Sequence, residues 1–166
     1  MNIQIRHAEA KDLISLTAIY NHAVTHTTAT FDLEEQTLEQ RKKWIESFNF
    51  DTYPLLVAEM EGAVAGYACL SPYRSKPAYA RTVELSVYVD PAFQGKGVGS
   101  ALMADLLERA REAGHHAVLA GITGGNGGSV RLHRRFGFRE VGCLQQVGWK
   151  FGAWQDVYFY QLTLDE

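Results

Sequence analysis

The chain has 166 residues, a length that suits one domain with a sizeable core. Hydrophobic residues make up 46% and charged residues 21%, which excludes a disordered or low-complexity chain. A formal net charge of -3 excludes bulk attraction to nucleic acid or an anionic membrane, and two distant cysteines exclude a disulfide scaffold. No apolar stretch approaches 18 residues and Met1 to His7 carries no signal pattern, so residues 1–166 are expected to form a single cytoplasmic domain.

In chain order, residues 2–6 read as a strand. A helix follows from Asp12, with Leu13, Leu16, Ile19 or Tyr20, and Ala23 or Val24 on one face. Thr37-Leu38-Glu39-Gln40 has capping-box spacing and opens a second helix to about Phe48. Leu55 to Met60, a Glu61-Gly62 turn and Val64 to Leu70 read as a hairpin. A strand from about Arg81 to Val89 stops at Asp90-Pro91. The helix Val98 to Ala113 places Leu102, Leu106 and Ala110 beside Met103 and Leu107, and Gly114 ends it. Ala117 to Ile122 is a buried strand, 129–136 a short helix, and 139–147 and 155–164 two final strands. Consecutive strands interleaved with helices predict an α/β chain whose mixed sheet carries helices on its faces.

The most informative segment is Gln94-Gly95-Lys96-Gly97-Val98-Gly99-Ser100, between an apolar strand and an amphipathic helix. Glycines there allow a sharp turn and close approach of a ligand to backbone amides. The free N–H groups at the helix start favour phosphate, and Lys96 adds mobile positive charge. A P-loop needs Ser or Thr directly after its lysine, where Gly97 stands. A dinucleotide fingerprint needs a third glycine where Ser100 stands. The remaining pattern, Gln-x-x-Gly-x-Gly, matches residues 94–99 in full. A connector that binds nothing is the alternative.

With these residues, and with the run Glu84-Leu85-Ser86-Val87-Tyr88-Val89 before them, the chain resembles the GNAT superfamily of acyl-CoA-dependent N-acetyltransferases. Asn126-Gly127-Gly128-Ser129 through Arg135-Phe136-Gly137-Phe138 is similar to its second signature. Within the superfamily it looks most like the phosphinothricin/methionine sulfoximine acetyltransferases, through Ile19 to Val24, Thr82-Val83-Glu84, Leu132-His133 and Gln146 to Trp154. The resemblance implies a mostly antiparallel central sheet flanked by helices, with acetyl-CoA as co-substrate. It also implies a small-molecule amine acceptor and a homodimer. The apolar strand around Val157 to Leu162 is either a physical basis for that dimer or ordinary core.

The resemblance further implies that Val87, Tyr88 and Val89 meet the acetyl and pantetheine parts. Gln94, Gly95, Lys96, Gly97, Val98, Gly99 and Ser100 would cradle the pyrophosphate. Asn126, Ser129 and Arg135 would add cofactor contacts. Glu84 is a carboxylate in an apolar strand, where burial raises a pKa towards that of a useful base; an exposed strand carboxylate is the other reading. The matched position favours the base. His133 stands where many members carry tyrosine, and it is either the acid that protonates the leaving thiolate or an organiser of substrate or water.

For the acceptor, Arg74 could grip an acidic group bidentately, with Arg81 as a second candidate. Phe31, Tyr73, Leu85, Ser86, Tyr88 and Trp149 would complete the pocket. Neither cysteine has a base at recognisable spacing, so direct transfer in a ternary complex is expected rather than an acetyl-cysteine. No metal is expected.

Overall fold

The computed structural model describes residues 2–164, so positions 1, 165 and 166 of the expected domain lie outside the described residues. Seven strands form one sheet: β1 (Ile3–His7), β2 (Leu55–Met60), β3 (Ala63–Pro72), β4 (Thr82–Val89), β5 (Ala117–Thr123), β6 (Arg139–Lys150) and β7 (Ala153–Thr163). Their order is β1-β2-β3-β4-β5-β7-β6, antiparallel except where β4 meets β5. Four helices accompany them: α1 (Leu13–His26), α2 (Leu38–Glu46), α3 (Val98–Glu112) and α4 (Gly127–Arg135). The expected mixed, mostly antiparallel sheet is observed.

Alternation along the central strands builds two cores. In β2, Leu56, Ala58 and Met60 join Leu102, Met103, Leu106 and Leu107 of α3. Leu55 and Val57 turn the other way and meet Leu16 and Ile19 of α1, with Tyr67 and Cys69 of β3. Both faces being buried, Leu55 to Ala58 of β2 read as a continuous apolar run. Gly66 permits the close fit of both β4 and α3, since a Cβ there would stand 2.7 Å from the Tyr88 carbonyl oxygen and 3.1 Å from Val98 Cγ1. The α2 capping box forms as expected: Thr37 Oγ1 accepts from Gln40 N–H at 3.1 Å, and Gln40 Oε1 accepts from Thr37 N–H at 2.8 Å.

The C-terminal hairpin is longer than its hydrophobic pattern indicates. Strands β6 and β7 continue to a two-residue turn, Phe151-Gly152, in which both residues have positive φ, 52° and 72°. Positive φ at a phenylalanine carries no sequence signal. The turn projects the hairpin tip towards the segment after α1, where Lys150 Nζ donates to the Thr30 carbonyl at 2.7 Å.

Candidate active site

The parallel pair β4/β5 registers only at Thr82↔Ala117, Val83↔Val118 and Glu84↔Leu119. Beyond Glu84, β4 stays bonded to β3 as far as Val89↔Gly66, and β5 stays bonded to β7 as far as Thr123↔Val157. The two strands therefore part, and the β5-facing backbone groups of Leu85 to Val89 have no strand partner. Buried backbone groups seldom stay unpaired, so the gap is a ready place for an amide-bearing chain.

From this gap a groove of about 1010 Å³ runs along the start of α3. Residues 95 and 97 have φ of 75° and 84°, a region that side-chain-bearing residues rarely adopt, and a Cβ at either would touch nothing. Conformation, not crowding, demands these two glycines. Gly97 forms the N-cap of α3, so the free N–H groups of its first turn face the groove. Gly99 serves differently: a Cβ there would stand 3.2 Å from Leu132 Cδ2, so it allows α4 to approach.

Gln94, Gly95, Gly97, Gly99 and Ser100 border the groove, with Val87, Tyr88, Val89, Asn126, Ser129 and Arg135. Arg135 Nη1 donates to Ser100 Oγ at 2.9 Å, which fixes a guanidinium beside the helix start. Val98 also borders it, by its backbone, because its side chain is buried in the core. Lys96 is not among the residues that border the groove; its ammonium lies 5.5 Å from the centre of the ring of Phe93, which does border it. Arg131 borders it and was missed, because arginines at 131, 134 and 135 are indistinguishable in sequence without the helix phase.

Asn126 both borders the groove and caps α4, its Oδ1 accepting from Ser129 N–H at 3.2 Å. Inside the strand gap lies a chamber of about 70 Å³, bordered by Ser86, Val87, Tyr88, Asn126, Ser129 and His133. His133 is 4% exposed. Its Nδ1 sits 2.7 Å from the Ser129 carbonyl oxygen, so Nδ1 carries the proton and Nε2 keeps a lone pair. Burial lowers its pKa, only partly opposed by that hydrogen bond, so the ring is neutral near pH 7.

Glu84 does not border the chamber. It is an exposed side chain at the last paired position of β4, opposite Ser71 and Leu119. Desolvation raises its carboxyl above the usual range, while the charge of Arg74 pulls it back. Arg74 is itself exposed, 5.2 Å from the centre of the Tyr73 ring. The two catalytic candidates thus flank the gap without both entering it.

The side chains of four acceptor candidates are engaged by other contacts or lie exposed. Arg81 precedes β4, and its Nε donates 2.7 Å to the Gly114 carbonyl at the end of α3 opposite the cradle. The side chain of Leu85 is buried in the α3 core, leaving its backbone at the chamber. Phe31 packs on Gly148 so tightly that no Cβ would fit there. Trp149 is exposed and meets Trp154 edge to face.

Ser86 and Tyr88 also border a separate cavity of about 290 Å³ under α2, on the other face of β4. Its remaining wall includes Tyr20, Asp32, Gln36, Arg41 and Tyr67, all missed because they come from three distant segments. His22 and His26 do form an H-x-x-x-H pair, contrary to the expectation that no paired-ligand spacing occurs, and their rings stack 4.4 Å apart. Among the described residues no group of three or more His, Cys, Asp or Glu could hold a metal. Among them, too, no helix is long and apolar enough to cross a membrane.

The pattern of the acetyltransferase (GNAT) family matches residues 16–138. An L-methionine sulfoximine/L-methionine sulfone acetyltransferase of Salmonella typhimurium is 45% identical, across 98% of this chain and 95% of its own. The structure of a GNAT superfamily phosphinothricin acetyltransferase from Sinorhizobium meliloti, in complex with acetyl-CoA, superposes with a TM-score of 0.95. It is 36% identical and covers 99% of this chain and 89% of its own. A structure named ribosomal-protein-alanine N-acetyltransferase, from Brucella melitensis, superposes with a TM-score of 0.94 at 48% identity, covering 97% and 99%.

Proposed function

The chain belongs to the acetyltransferase (GNAT) family, and on that footing we propose that it acetylates the amino group of a small amino-acid-like substrate of the phosphinothricin or methionine sulfoximine type. The observation that carries this reading is the parting of β4 from β5 beyond Glu84, directly above the glycine-rich start of α3. The free backbone of residues 85–89 suits the two amides of a pantetheine arm, and the first turn of α3 with Arg135 suits its pyrophosphate.

When bound, acetyl-CoA supplies the thioester carbonyl that the amine attacks. The amine must first be neutral. Glu84, with its raised carboxyl pKa, takes the proton; because it stands outside the chamber, it does so through a water. His133, neutral and with Nε2 free to accept, orders that water or the amine rather than serving as a charged acid. Transfer is direct within a ternary complex: as the C–N bond forms the C–S bond breaks, and the proton taken up through Glu84 and its water would return to the departing CoA thiolate. Burial pushes the Cys69 thiol up to about 12, partly opposed by Arg41 and Ser86, so it offers no thiolate to carry the acetyl group.

We place this enzyme in the cytoplasm as one catalytic domain, acting as a homodimer. Val157 to Leu162 lie in β7, paired on both edges by β5 and β6, and are at least partly buried. The apolar surface is instead on β6 and the hairpin end, where Val141, Leu144, Val147, Trp149 and Trp154 are each half exposed or more. Sedimentation equilibrium should give twice the chain mass, and a monomer rules this surface out.

Thiol release from acetyl-CoA across an amine panel tests the acceptor. Turnover of methionine sulfoximine or phosphinothricin is expected. The Brucella relative favours a second reading, acetylation of a peptide N-terminus, and release confined to peptides would establish that reading instead.

A further inference from the structure

We propose that the cavity under α2 is a subsite for a tetrahedral oxo head group, a sulfonyl, sulfoximine or phosphinate, at the far end of the acceptor side chain, selected by Arg41. The proposal rests on the amino-acid acceptor reading above.

Arg41 is 4% exposed, and a guanidinium buried to that degree ordinarily sits on a carboxylate. Here it does not. Among the described residues Arg41 makes no ion pair. Its one hydrogen bond runs from Nη2 to the Tyr67 hydroxyl at a long 3.4 Å, and Nε is enclosed with no partner. The rings of Tyr20 and Trp44 lie 4.1 and 3.6 Å from Cζ and fix the guanidinium without using its N–H groups. A buried donor set held rigid and left unused is the signature of a site awaiting an acceptor.

The cavity that Arg41 borders and the chamber have Ser86 and Tyr88 as common bordering residues, so the two spaces adjoin across β4. An amino acid whose amine lies at the chamber can therefore extend its side chain towards Arg41. At about 290 Å³ the cavity accepts a short side chain with a bulky head. Asp32, the one carboxylate on the wall, already accepts a short hydrogen bond from the Tyr20 hydroxyl. Its charge disfavours a doubly charged guest and leaves a neutral or singly charged oxo group as the match. Arg74, beside Glu84 and outside this cavity, remains the partner for the α-carboxylate.

L-methionine and L-methionine sulfone differ only by two oxygens, which makes them the matched probe. Wild-type kcat/KM should favour the sulfone by more than about 30-fold, because a site built around hydrogen bonds rejects the analogue that lacks them. A preference within about threefold overturns the proposal whether or not any variant folds. Arg41→Met should cut the preference below about threefold, chiefly by raising the sulfone KM, with kcat and acetyl-CoA affinity kept. Arg41→Lys should keep part of the preference. Equal losses for both acceptors would show Arg41 to be merely structural and overturn the assignment. No thiol release with any amino acid would overturn the acceptor reading, and this subsite with it.

Discussion

The two faces of β4 build their sites by different means. On the α3 face the donor groove is made mainly of backbone: free groups on residues 85–89, the first turn of α3, and two glycines with φ of 75° and 84°. On the α1/α2 face the cavity proposed for the acceptor is made of side chains from α1, the segment after it, α2, β3 and β4. A backbone site must be written as one contiguous run, because neighbouring peptide units form it. A side-chain site can be gathered from anywhere that the fold brings together.

The largest expected effect breaks the comparison at the seam between the faces. Glu84→Gln should lower kcat/KM by about 100-fold while acetyl-CoA binding is unchanged, since removing a general base costs roughly 10²–10⁴. The sign of the pH effect follows from the raised carboxyl pKa. A base works deprotonated, so the wild-type rate should fall as pH drops through a value above the ordinary carboxylate range. The variant should lack that acidic limb. An unchanged pH–rate profile removes Glu84 from the chemistry.

Next in size is a change in the framework that both faces share. Asp12 is buried, and Arg6 Nη1 and Nη2 donate to its two oxygens at 2.8 Å each. Burial pushes its carboxyl up, but the Arg6 hydrogen bonds and the Glu9 N–H outweigh this and hold it below the usual range. A depressed carboxyl contributes stability above its unfolded pKa and loses it as pH falls through the folded one. Asp12→Asn should therefore cost about 2 kcal/mol near pH 7 in urea unfolding. The gap from wild type should narrow below about pH 4.

Legibility followed the same division. The donor loop, the α2 capping box and the order of elements along the chain all came from local runs, as did the second signature at Asn126 to Phe138; the order of strands within the sheet did not. Arg41 and Tyr20 read in sequence as ordinary helix residues, and only the crossing of α1 and α2 over β3 brings them into one cavity. Glu84 was recognised, but period-2 alternation gives its face and not its distance from the chamber. Phe31 illustrates the converse: an aromatic near the site whose position is set by a tight seat on Gly148, a contact 117 residues away in sequence.

A smaller effect sharpens the donor side. A Cβ at Gly97 meets nothing within 4 Å, so the cost of Gly97→Val is purely conformational, about 1–2 kcal/mol for a left-handed residue. Relief of that strain would reorient the first N–H groups of α3. Acetyl-CoA Kd by calorimetry should rise about tenfold, the equivalent of 1.4 kcal/mol, with little change in KM for the acceptor. A rise in acceptor KM alone would mean that the loop serves the other face.

The smallest effect belongs to Arg81, whose position in sequence suggested an acceptor grip. The structure instead ties its Nε to the Gly114 carbonyl, and its own carbonyl accepts from His116 N–H at 2.8 Å and Ala117 N–H at 3.2 Å. These bonds close the junction between the end of α3 and β5, at the start of β4 and on the paired side of the parting of the strands. Arg81→Ala should leave acceptor KM and kcat within about twofold, and it should cost no more than about 1 kcal/mol of stability for one exposed hydrogen bond. The backbone bonds at residue 81 survive the substitution, which is why the effect is small. A tenfold rise in acceptor KM would return Arg81 to the acceptor side and show that side to reach beyond the cavity under α2.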